Sequence, residues 1–292
     1  MTRKTLQLRE RLAKGDILIA PGAYDALLAR LIALAGFECV YFSGAGTAYS
    51  LLGEPDVGLL TMTEMAERAT AVAQAVVVPV IADGDNGYGN AINVMRTVRE
   101  YERAGVAAIQ LEDQETPKRC GHLSGRRLIG VDEMVGKLRA AQDARRDPDF
   151  VIIARTDACG VLGLDEALRR GEHYVRAGAD VLFIESPRSV EDLAKIGRTF
   201  RGSVPLLANM VEGGQTPLLS ASELQELGFR IVIFPNSLTR RIVHAARELL
   251  RILRTTGTTA DLLAEMVDFK ELNMALGLGI YEDLESKYLP PN

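Results

Sequence analysis

Short apolar runs alternate with longer amphipathic stretches from near the N-terminus to about residue 256. The apolar runs end at polar segments, most of which contain Gly, Pro, Asn or Asp, and this is typical of buried strands. The predicted strands are 16–20, 39–42, 78–82, 107–111, 150–154, 181–184, 204–208 and 230–234.

The stretches between these runs carry apolar residues at helical spacing, and several end in glycine just before the next strand, as helix C-caps do. Strands that alternate with helices pair in parallel through right-handed crossovers. The predicted helices are 6–14, 25–35, 63–75, 91–104, 132–145, 164–177, 190–199, 220–227 and 238–255, with further helix in the remainder.

Eight strand–helix units predict an α/β fold of the (β/α)8 TIM barrel class. A doubly wound sheet is the alternative, but it usually has a Gly-rich phosphate turn after its first strand, and the Pro-Gly-Ala-Tyr-Asp sequence at 21–25 is not one. Because no linker divides the chain, we predict one domain. Residues 1–256 form the barrel, and residues 257–292 form a C-terminal helical extension of the same domain that caps the barrel or reaches a neighbouring subunit.

Composition narrows the range of partners. The 292 residues are 47% hydrophobic and 25% charged, with a formal net charge of −5 and no long basic run. This balance argues against nucleic acid and against a membrane surface as the partner. The charged N-terminal stretch lacks the apolar core of a signal peptide, and no run approaches the roughly 18 apolar residues of a membrane span. Cys39, Cys120 and Cys159 are far apart, which indicates free thiols in a reducing, cytoplasmic compartment.

Polar side chains collect at the carboxyl ends of the predicted strands. In a barrel these ends form one rim, so residues far apart in sequence converge there. Any single carboxylate could be solvated or could cap a helix, but acids from four consecutive strand ends would repel one another without a cation among them. Oxygen ligands with no His or Cys cluster favour Mg2+ or Mn2+ over zinc. The rim residues are Ser43, Asp83, Asp85, Glu112, Arg155, Asp157, Glu185 and Asn209.

Two of these positions suit an anionic ligand. Arg155 supplies a planar, permanently charged fork for a carboxylate or phosphate. The small-residue turn Ser43-Gly44-Ala45-Gly46 could offer backbone N–H groups to the same anion. Most such turns bind nothing, but beside an arginine and a metal this one becomes a candidate site for a 2-oxo acid.

Residues 112–125, which follow the fourth predicted strand, contain a candidate reactive thiol. Cys120 lies in the polar sequence Lys-Arg-Cys-Gly-His and not in the apolar surroundings of a structural cysteine. The neighbouring Lys118, Arg119 and His122 are expected to lower its pKa below the free value of about 8.5. The thiol is therefore a candidate nucleophile or proton donor.

The same loop has the composition of a lid. It is rich in charge and contains Gly121 and Gly125 as candidate hinges, and the Gly-bounded segment 53–58 is a candidate second lid. Closure would exclude water from a reactive carbanion or enolate.

At these residues the sequence resembles the isocitrate lyase/phosphoenolpyruvate mutase superfamily over nearly its whole length. Lys-Arg-Cys-Gly-His is similar to the catalytic signature of the carbon–carbon lyase branch, and the length is similar to its short members, the methylisocitrate and 2,3-dimethylmalate lyases. The supporting matches are 43–45, 83–85, 112–114, 154–157 and 209–217.

One segment departs from the methylisocitrate lyase pattern. Those enzymes typically have Thr-Glu-Phe-Gly where this chain has Val-Glu-Gly-Gly at 211–214. This segment is more similar to the dimethylmalate lyases, the petal death protein and the carboxyphosphonoenolpyruvate mutases. Cys120 argues against the mutases and the oxaloacetate decarboxylases, which generally lack it.

The resemblance implies a Mg2+-dependent lyase that cleaves a 2-hydroxy dicarboxylate of the 2-alkylmalate type to pyruvate or another 2-oxo acid plus a carboxylate. It also implies a homotetramer in which the last barrel helix is exchanged between subunits. Asp85 would bind the metal directly, whereas Asp83 and Glu112, with Asp157 as a further candidate, would act through water.

The implied catalytic residues surround Cys120, the general acid. The base for the substrate hydroxyl stays open between Glu185, a metal-bound water, Tyr41 and Tyr49. Proton donation needs a protonated thiol although the basic neighbours favour the thiolate, and we expect the bound dianion to raise the thiol pKa again. The catalytic set is Cys120, His122, Lys118, Arg155 and Glu185, and the substrate-binding set is Ser43, Gly44, Ala45, Gly121, Arg155 and Asn209.

Two other functions stay open. An oxaloacetate decarboxylase or a carboxyphosphonoenolpyruvate/phosphonomutase-type enzyme of the same superfamily would keep its activity without Cys120. A non-catalytic metabolite-binding barrel would bind a ligand with neither turnover nor Mg2+ dependence. Residues that could shape the substrate pocket are Leu52, Met210, Phe234 and Asn236.

Overall fold

Eight parallel strands form a closed barrel in this computed structural model, which describes residues 3–289. Each strand pairs with the next one along the chain, and β8 pairs with β1. This closure confirms the TIM barrel and excludes the doubly wound sheet. The strands are β1 Leu18–Ala23, β2 Val40–Phe42, β3 Val80–Asp83, β4 Ala108–Glu112, β5 Val151–Thr156, β6 Val181–Ile184, β7 Leu206–Asn209 and β8 Ile231–Phe234.

Several strands lie further along the chain than predicted, because polar residues at their carboxyl ends belong to the ladder. β4 includes Glu112, which pairs with Arg155 of β5, and β7 includes Asn209, which pairs with Ile233. Backbone hydrogen bonding does not depend on side-chain polarity, so the ladder continues past the apolar run. The rim residues are therefore held by strands as well as by loops.

β1 shows the same effect at a Pro-Gly pair that was predicted to end the strand. Gly22 pairs with Tyr41, and a Cβ at Gly22 would clash with the backbone of Pro235. The glycine permits this close approach of the segment after β8.

The helices follow the strands as predicted, and short additional ones occur in loops. Unpredicted are α3, a π-helical turn at Ala48–Leu52, and α7, each no longer than five residues. The helices are α1 Lys4–Ala13, α2 Ala26–Leu34, α3 Gly44–Thr47, α4 Met62–Ala75, α5 Ala91–Ala104, α6 Val131–Ala144, α7 Ala158–Leu162, α8 Leu164–Arg176, α9 Val190–Phe200, α10 Ala221–Glu226, α11 Ser237–Thr256, α12 Phe269–Ala275 and α13 Leu278–Tyr288, with a 3-10 helix at Ala260–Glu265.

Side chains of the helices and strands form two apolar layers in the barrel. One layer fills the interior and includes Leu18, Ile81 and Phe183. The other lies between the strands and the outer helices, and it includes Leu193 and Phe200 of α9. These layers support the strands from both sides, so the rim at their carboxyl ends is rigid.

The chain divides into two compact units, one that extends to Ser237 and one that begins at Leu238. The first contains all eight strands, and the second contains nearly all of α11 together with α12 and α13. The predicted division after residue 256 stays a prediction. Among residues 3–289, no helix is both long enough and apolar enough to cross a membrane.

Candidate active site

Buried acids and one buried lysine lie together at the carboxyl rim of the barrel. Asp83, Asp85 and Glu112 are each less than 8% exposed. Lys118 reaches them from the loop after β4, with its Nζ 2.5 Å from Asp85 Oδ1 and 2.7 Å from Asp56 Oδ1. A single ammonium group therefore faces several carboxylates, and the cluster has an excess of negative charge.

Burial disfavours the ionised forms of two of these carboxylates and so raises their pKa values. Desolvation raises the pKa of Asp85 to about 7, although Lys118 opposes the shift. Desolvation also raises the pKa of Glu112 well above its usual range, against the attraction of Arg155. A further cation would stabilise the ionised forms of both carboxylates.

The donor set fits a hard divalent cation. Glu112 Oε1 is buried and accepts no hydrogen bond, and Asp85 Oδ1 is buried with the ammonium of Lys118 2.5 Å away. Within residues 3–289 no three acidic, His or Cys side chains make a complete metal site. Mg2+ typically binds through one or two carboxylates and keeps several waters, so this arrangement suits it.

The predicted anion-binding turn is the first turn of helix α3. Ser43 caps this helix by accepting a hydrogen bond from Gly46 N at 3.1 Å. Gly44 and Ala45 stand in its first turn, where backbone N–H groups have no partner within the helix. A Cβ at Gly44 would lie 2.8 Å from Asp83 Oδ2, so this turn is in direct contact with the acids.

Arg155 is held among three carboxylates. Its guanidinium makes two hydrogen bonds to Asp157, from Nε at 3.0 Å and from Nη2 at 2.9 Å. It also lies 3.3 Å from Glu112 Oε2 and 3.4 Å from Glu185 Oε2, over the ring of Phe183. The fork is therefore rigidly positioned and permanently charged.

Asp157 is engaged by two arginines, and its predicted role as a further metal ligand through water stays a prediction. Both of its oxygens accept hydrogen bonds from Arg155, and Oδ1 accepts another from Arg126. Burial opposes its charge, but the two guanidinium groups outweigh that effect and lower its pKa. Asp157 positions arginines in this site.

The thiol of Cys120 is protonated, contrary to the expectation that its basic neighbours lower its pKa. Burial raises the pKa to about 11. The ammonium of Lys118 pairs with Asp56 and Asp85, and Arg119 is exposed to solvent. The sequence placed these cations close along the chain, but the fold directs Lys118 into the acid cluster. A proton donor therefore exists without help from a bound dianion.

His122 of the loop lies beside Glu185 of the rim. His122 Nε2 is 3.6 Å from Glu185 Oε1, and its Nδ1 accepts a hydrogen bond from Gln215 N at 3.3 Å. Burial lowers the pKa of His122 against the attraction of Glu185, so the ring is neutral and its proton is on Nε2. Asn209 donates to Glu185 Oε2 at 2.9 Å and leaves its own buried Oδ1 without a partner.

Position 121 has no room for a side chain larger than that of glycine. A Cβ there would clash with Arg155 Nη2 and approach Glu185 Cγ to 2.6 Å. The carbonyl of Gly121 accepts a hydrogen bond from Ser186 Oγ at 2.9 Å. The residue beside Cys120 is thus seated directly on the rim.

The two predicted lids contact each other. Lys118 pairs with Asp56, and Cys120 N donates to Asp56 O at 3.1 Å. A Cβ at Gly58 would lie 3.0 Å from the Lys118 backbone. Asp56 was missed by the sequence reasoning, although an acid in a Gly-bounded loop was a visible signal.

Tyr41 is not a suitable base. Its hydroxyl donates to Gln110 Oε1 at 3.1 Å, and burial followed by the charge of Asp83 raises its pKa well above the usual range. Tyr49, the other candidate phenol, lies in the π-helical turn after α3 and is 40% exposed. Glu185 and a metal-bound water stay the predicted candidates for the base.

A buried network behind the rim was also missed. Asp113 accepts hydrogen bonds from Asp157 N, Thr156 Oγ1, Tyr174 Oη and Arg170 Nη1, all at 2.7–2.9 Å. Its partners come from the end of β5, from the residue that follows it and from α8. The signal was an Arg and a Tyr four residues apart on one helix face, which the sequence alone does not connect to Asp113.

Comparison with known proteins supports one family. The chain matches the phosphoenolpyruvate phosphomutase family over residues 8–254. It is 52% identical over 282 residues to a 2,3-dimethylmalate lyase of Eubacterium barkeri, with 97% of each chain covered. It is 45% identical over 287 residues to a 2-methylisocitrate lyase of Aeropyrum pernix, with 98% of this chain and 92% of the relative covered.

Solved structures of related proteins match nearly the whole length of this chain. A 2,3-dimethylmalate lyase structure, described as a member of the PEP mutase/isocitrate lyase superfamily, matches with a TM-score of 0.92 at 40% identity and covers 98% of this chain and 96% of its own. A phosphonopyruvate hydrolase in complex with oxalate and Mg2+ matches with a TM-score of 0.90 at 34% identity and covers 99% and 100%. The family predicted from the motifs is confirmed, and the chain belongs to the phosphoenolpyruvate mutase/isocitrate lyase superfamily.

Proposed function

We propose that this protein is a Mg2+-dependent carbon–carbon lyase that cleaves a 2-hydroxy dicarboxylate of the 2-alkylmalate type to pyruvate or another 2-oxo acid plus a carboxylate. The observation that carries the proposal is the half-buried thiol of Cys120, whose pKa is raised to about 11 by desolvation, so that it holds a proton. Gly121 places this loop directly against Arg155 and Glu185. The relatives named 2,3-dimethylmalate lyase and 2-methylisocitrate lyase support the same reaction class.

Asp85 would hold the metal directly, and Asp83 and Glu112 would hold it through water. Glu112 Oε1 is buried without a hydrogen-bond partner, and Asp85 Oδ1 keeps a second lone pair beside its contact with Lys118. The bound cation, Mg2+ or Mn2+, supplies Lewis acidity for the substrate's hydroxyl and adjacent carboxylate. The Mg2+ complex of the related phosphonopyruvate hydrolase supports this assignment.

Arg155 and the first turn of α3 would bind the substrate on the 2-oxo-acid side. Ser43 organises that turn, and the N–H groups of Gly44 and Ala45 face an anion there as helix N-termini do. Arg155 adds a fixed positive charge, held in place by Asp157. These groups orient the substrate before the bond breaks.

Glu185 would accept the proton of the substrate hydroxyl. The hydroxyl oxygen then forms the carbonyl of the 2-oxo acid, and the electron pair of the breaking carbon–carbon bond moves to the other fragment as a carboxylate enediolate. Asn209 and the Nε2–H of His122 are the donors that would stabilise this charge. Cys120 would deliver its proton to the fragment's carbon and become a thiolate.

Lys118 would keep the acids and the loop together. Its ammonium lies within 2.7 Å of both Asp56 and Asp85. Its removal would leave two buried carboxylates without their counter-charge, which is costly.

Pyruvate release tests the function directly. We would measure it from 2-methylmalates, 2,3-dimethylmalates and 2-methylisocitrate, with and without Mg2+, for the wild type and Cys120→Ala. We expect metal-dependent release that the variant loses by several orders of magnitude. Oxaloacetate decarboxylation that is equal in both proteins, without release from the panel, would favour the alternative enzyme classes. Binding without turnover would favour a metabolite-binding barrel.

The oligomer is a second part of the proposal. Helix α11 has no buried residue over Ser237–Thr256, although Ile242, Val243, Leu250 and Leu253 are apolar and at least 40% exposed. We propose that α11 and the helical extension at 257–292 pack against a neighbouring subunit in a homotetramer. Light scattering on the purified protein should give four times the 31.8 kDa chain mass, and a monomer would contradict the proposal.

We also propose a cytoplasmic location. Cys39, Cys120 and Cys159 are all free, and none forms a disulfide. A reducing compartment preserves the thiol that the mechanism needs. Fractionation of cells with an antibody to the protein would test this, and recovery from an oxidising compartment would contradict it.

A further inference from the structure

Arg126 is a buried cation in the second half of the loop that carries Cys120, the segment at 122–128 that we call the return limb. Of the residues between Gly121 and Ile129, Arg126 alone is buried; the others are exposed or half-buried. Its guanidinium donates to Asp157 Oδ1 at 2.9 Å, and its side chain is 3% exposed. Arg126 is therefore the buried side chain of a limb whose backbone is also hydrogen-bonded to residues 113–115.

Helix α7, which faces Arg126, has space for its guanidinium. Gly160 lies in α7, immediately after the end of β5, and a Cβ there would clash with Arg126 Nη2. Gly160 has no left-handed backbone angle that would require glycine. The missing side chain at position 160 leaves room for the guanidinium of Arg126.

Asp157 joins Arg126 to the rim. Its Oδ1 accepts from both Arg126 and Arg155, and Oδ2 accepts from Arg155. If Arg126 is lost, Asp157 keeps two hydrogen bonds from Arg155 and is not left as an unpaired buried charge. The loss of Arg126 should therefore free the loop without collapsing the rim.

We propose that Arg126 is a positioning residue for Cys120: through Asp157 and the space at Gly160, it holds the loop in the conformation that buries the thiol and directs it at the rim. Lys118, Gly121 and Arg126 are buried residues of the loop, and Cys120 lies between the first and the last of them. The role in turnover rests on the proposed lyase function, whereas the effect on thiol burial does not.

The first test measures Cys120 without any substrate. Iodoacetamide alkylation of the full-length protein at pH 8 is followed by peptide mass spectrometry, which separates Cys120 from Cys39 and Cys159. We expect Arg126→Met to raise the alkylation rate of Cys120 by at least about tenfold, because local opening exposes the thiol. Arg127→Met is the matched control, since Arg127 lies in the same loop but its ion pair with Glu115 is exposed, and its rate should equal the wild-type rate.

Gly160→Ala tests the same contact from the other wall. Alanine favours a helix over glycine, so the change should be harmful only through its clash with Arg126. We expect faster Cys120 alkylation in Gly160→Ala, and no further increase when it is combined with Arg126→Met. Additive rates in the double variant, or a wild-type rate in Arg126→Met, would overturn the proposal.

Kinetics give the second readout. We expect Arg126→Met to lower kcat by between about tenfold and a hundredfold with little change in KM, because the donor is misplaced while Arg155 still binds substrate. An equal kcat in Arg126→Met and the wild type would refute the positioning role. Absence of turnover in the wild type would instead contradict the proposed function, and the alkylation results would still decide the role of Arg126.

Discussion

The carboxylate of Asp113 accepts a hydrogen bond from the backbone N–H of Asp157 at 2.9 Å. This bond links the end of β4 to the residue that holds Arg155. Because Asp113 also accepts from Arg170, Thr156 and Tyr174, it ties α8 to the rim. The arginine that is proposed to bind substrate is thus supported by a residue that does not face it.

Asp113→Asn should destabilise the protein by about 3 kcal/mol, because it removes the more deeply buried of the two carboxylates that pair with Arg170. The free energy of unfolding in urea measures this. Asp165→Asn is the control, since Asp165 pairs with Lys195 at the exposed surface, and it should change stability by less than about 0.5 kcal/mol. Equal effects would contradict the importance of the network.

The alkylation rate of Cys120 should rise with pH through a midpoint of about 11, because only the thiolate reacts and burial raises the folded-state pKa to that value. Between the ordinary thiol pKa and about 11, the folded state keeps a proton that the unfolded chain releases. Stability should therefore fall as pH rises across this range. A midpoint near 8 would show that the basic neighbours prevail over burial.

Mg2+ should raise the melting temperature of the protein, and Asp85→Asn should abolish the rise. At a concentration of 100 times its Kd, the ion would stabilise the folded state by about 2.7 kcal/mol. Differential scanning fluorimetry measures the shift, with Asp16→Asn as the control because Asp16 is exposed. An undiminished shift in Asp85→Asn would rule out Asp85 as the direct ligand.

Gly121→Ala should abolish most of the activity, because its Cβ would displace Arg155 or Glu185. Gly136→Ala is a matched change in helix α6, where no atom lies within 4 Å of the added Cβ. It should keep full activity and stabilise the helix by about 0.5–1 kcal/mol. Activity that survives in Gly121→Ala would mean that the loop is not seated on the rim during turnover.

The alternation of apolar runs and helices was enough to predict the barrel, since period and order follow from local patterns. It was not enough to place the strand ends. Glu112, Asn209 and Asp83 lie inside strands because a neighbouring strand pairs with their backbone, and polarity along one segment does not reveal that partner.

The sequence by itself determined the fold class, the family and the set of polar residues at the rim, because each depends on residue type and order. The lyase class came from the motif around Cys120, and the relatives agree with it. The tertiary structure decided which charges meet. It turned Lys118 away from the thiol toward Asp85, assigned Asp157 to two arginines, and brought in Asp56, Asp113 and Arg126. These outcomes depend on burial and on distances between segments far apart in the chain, and those quantities exist only once the chain has folded.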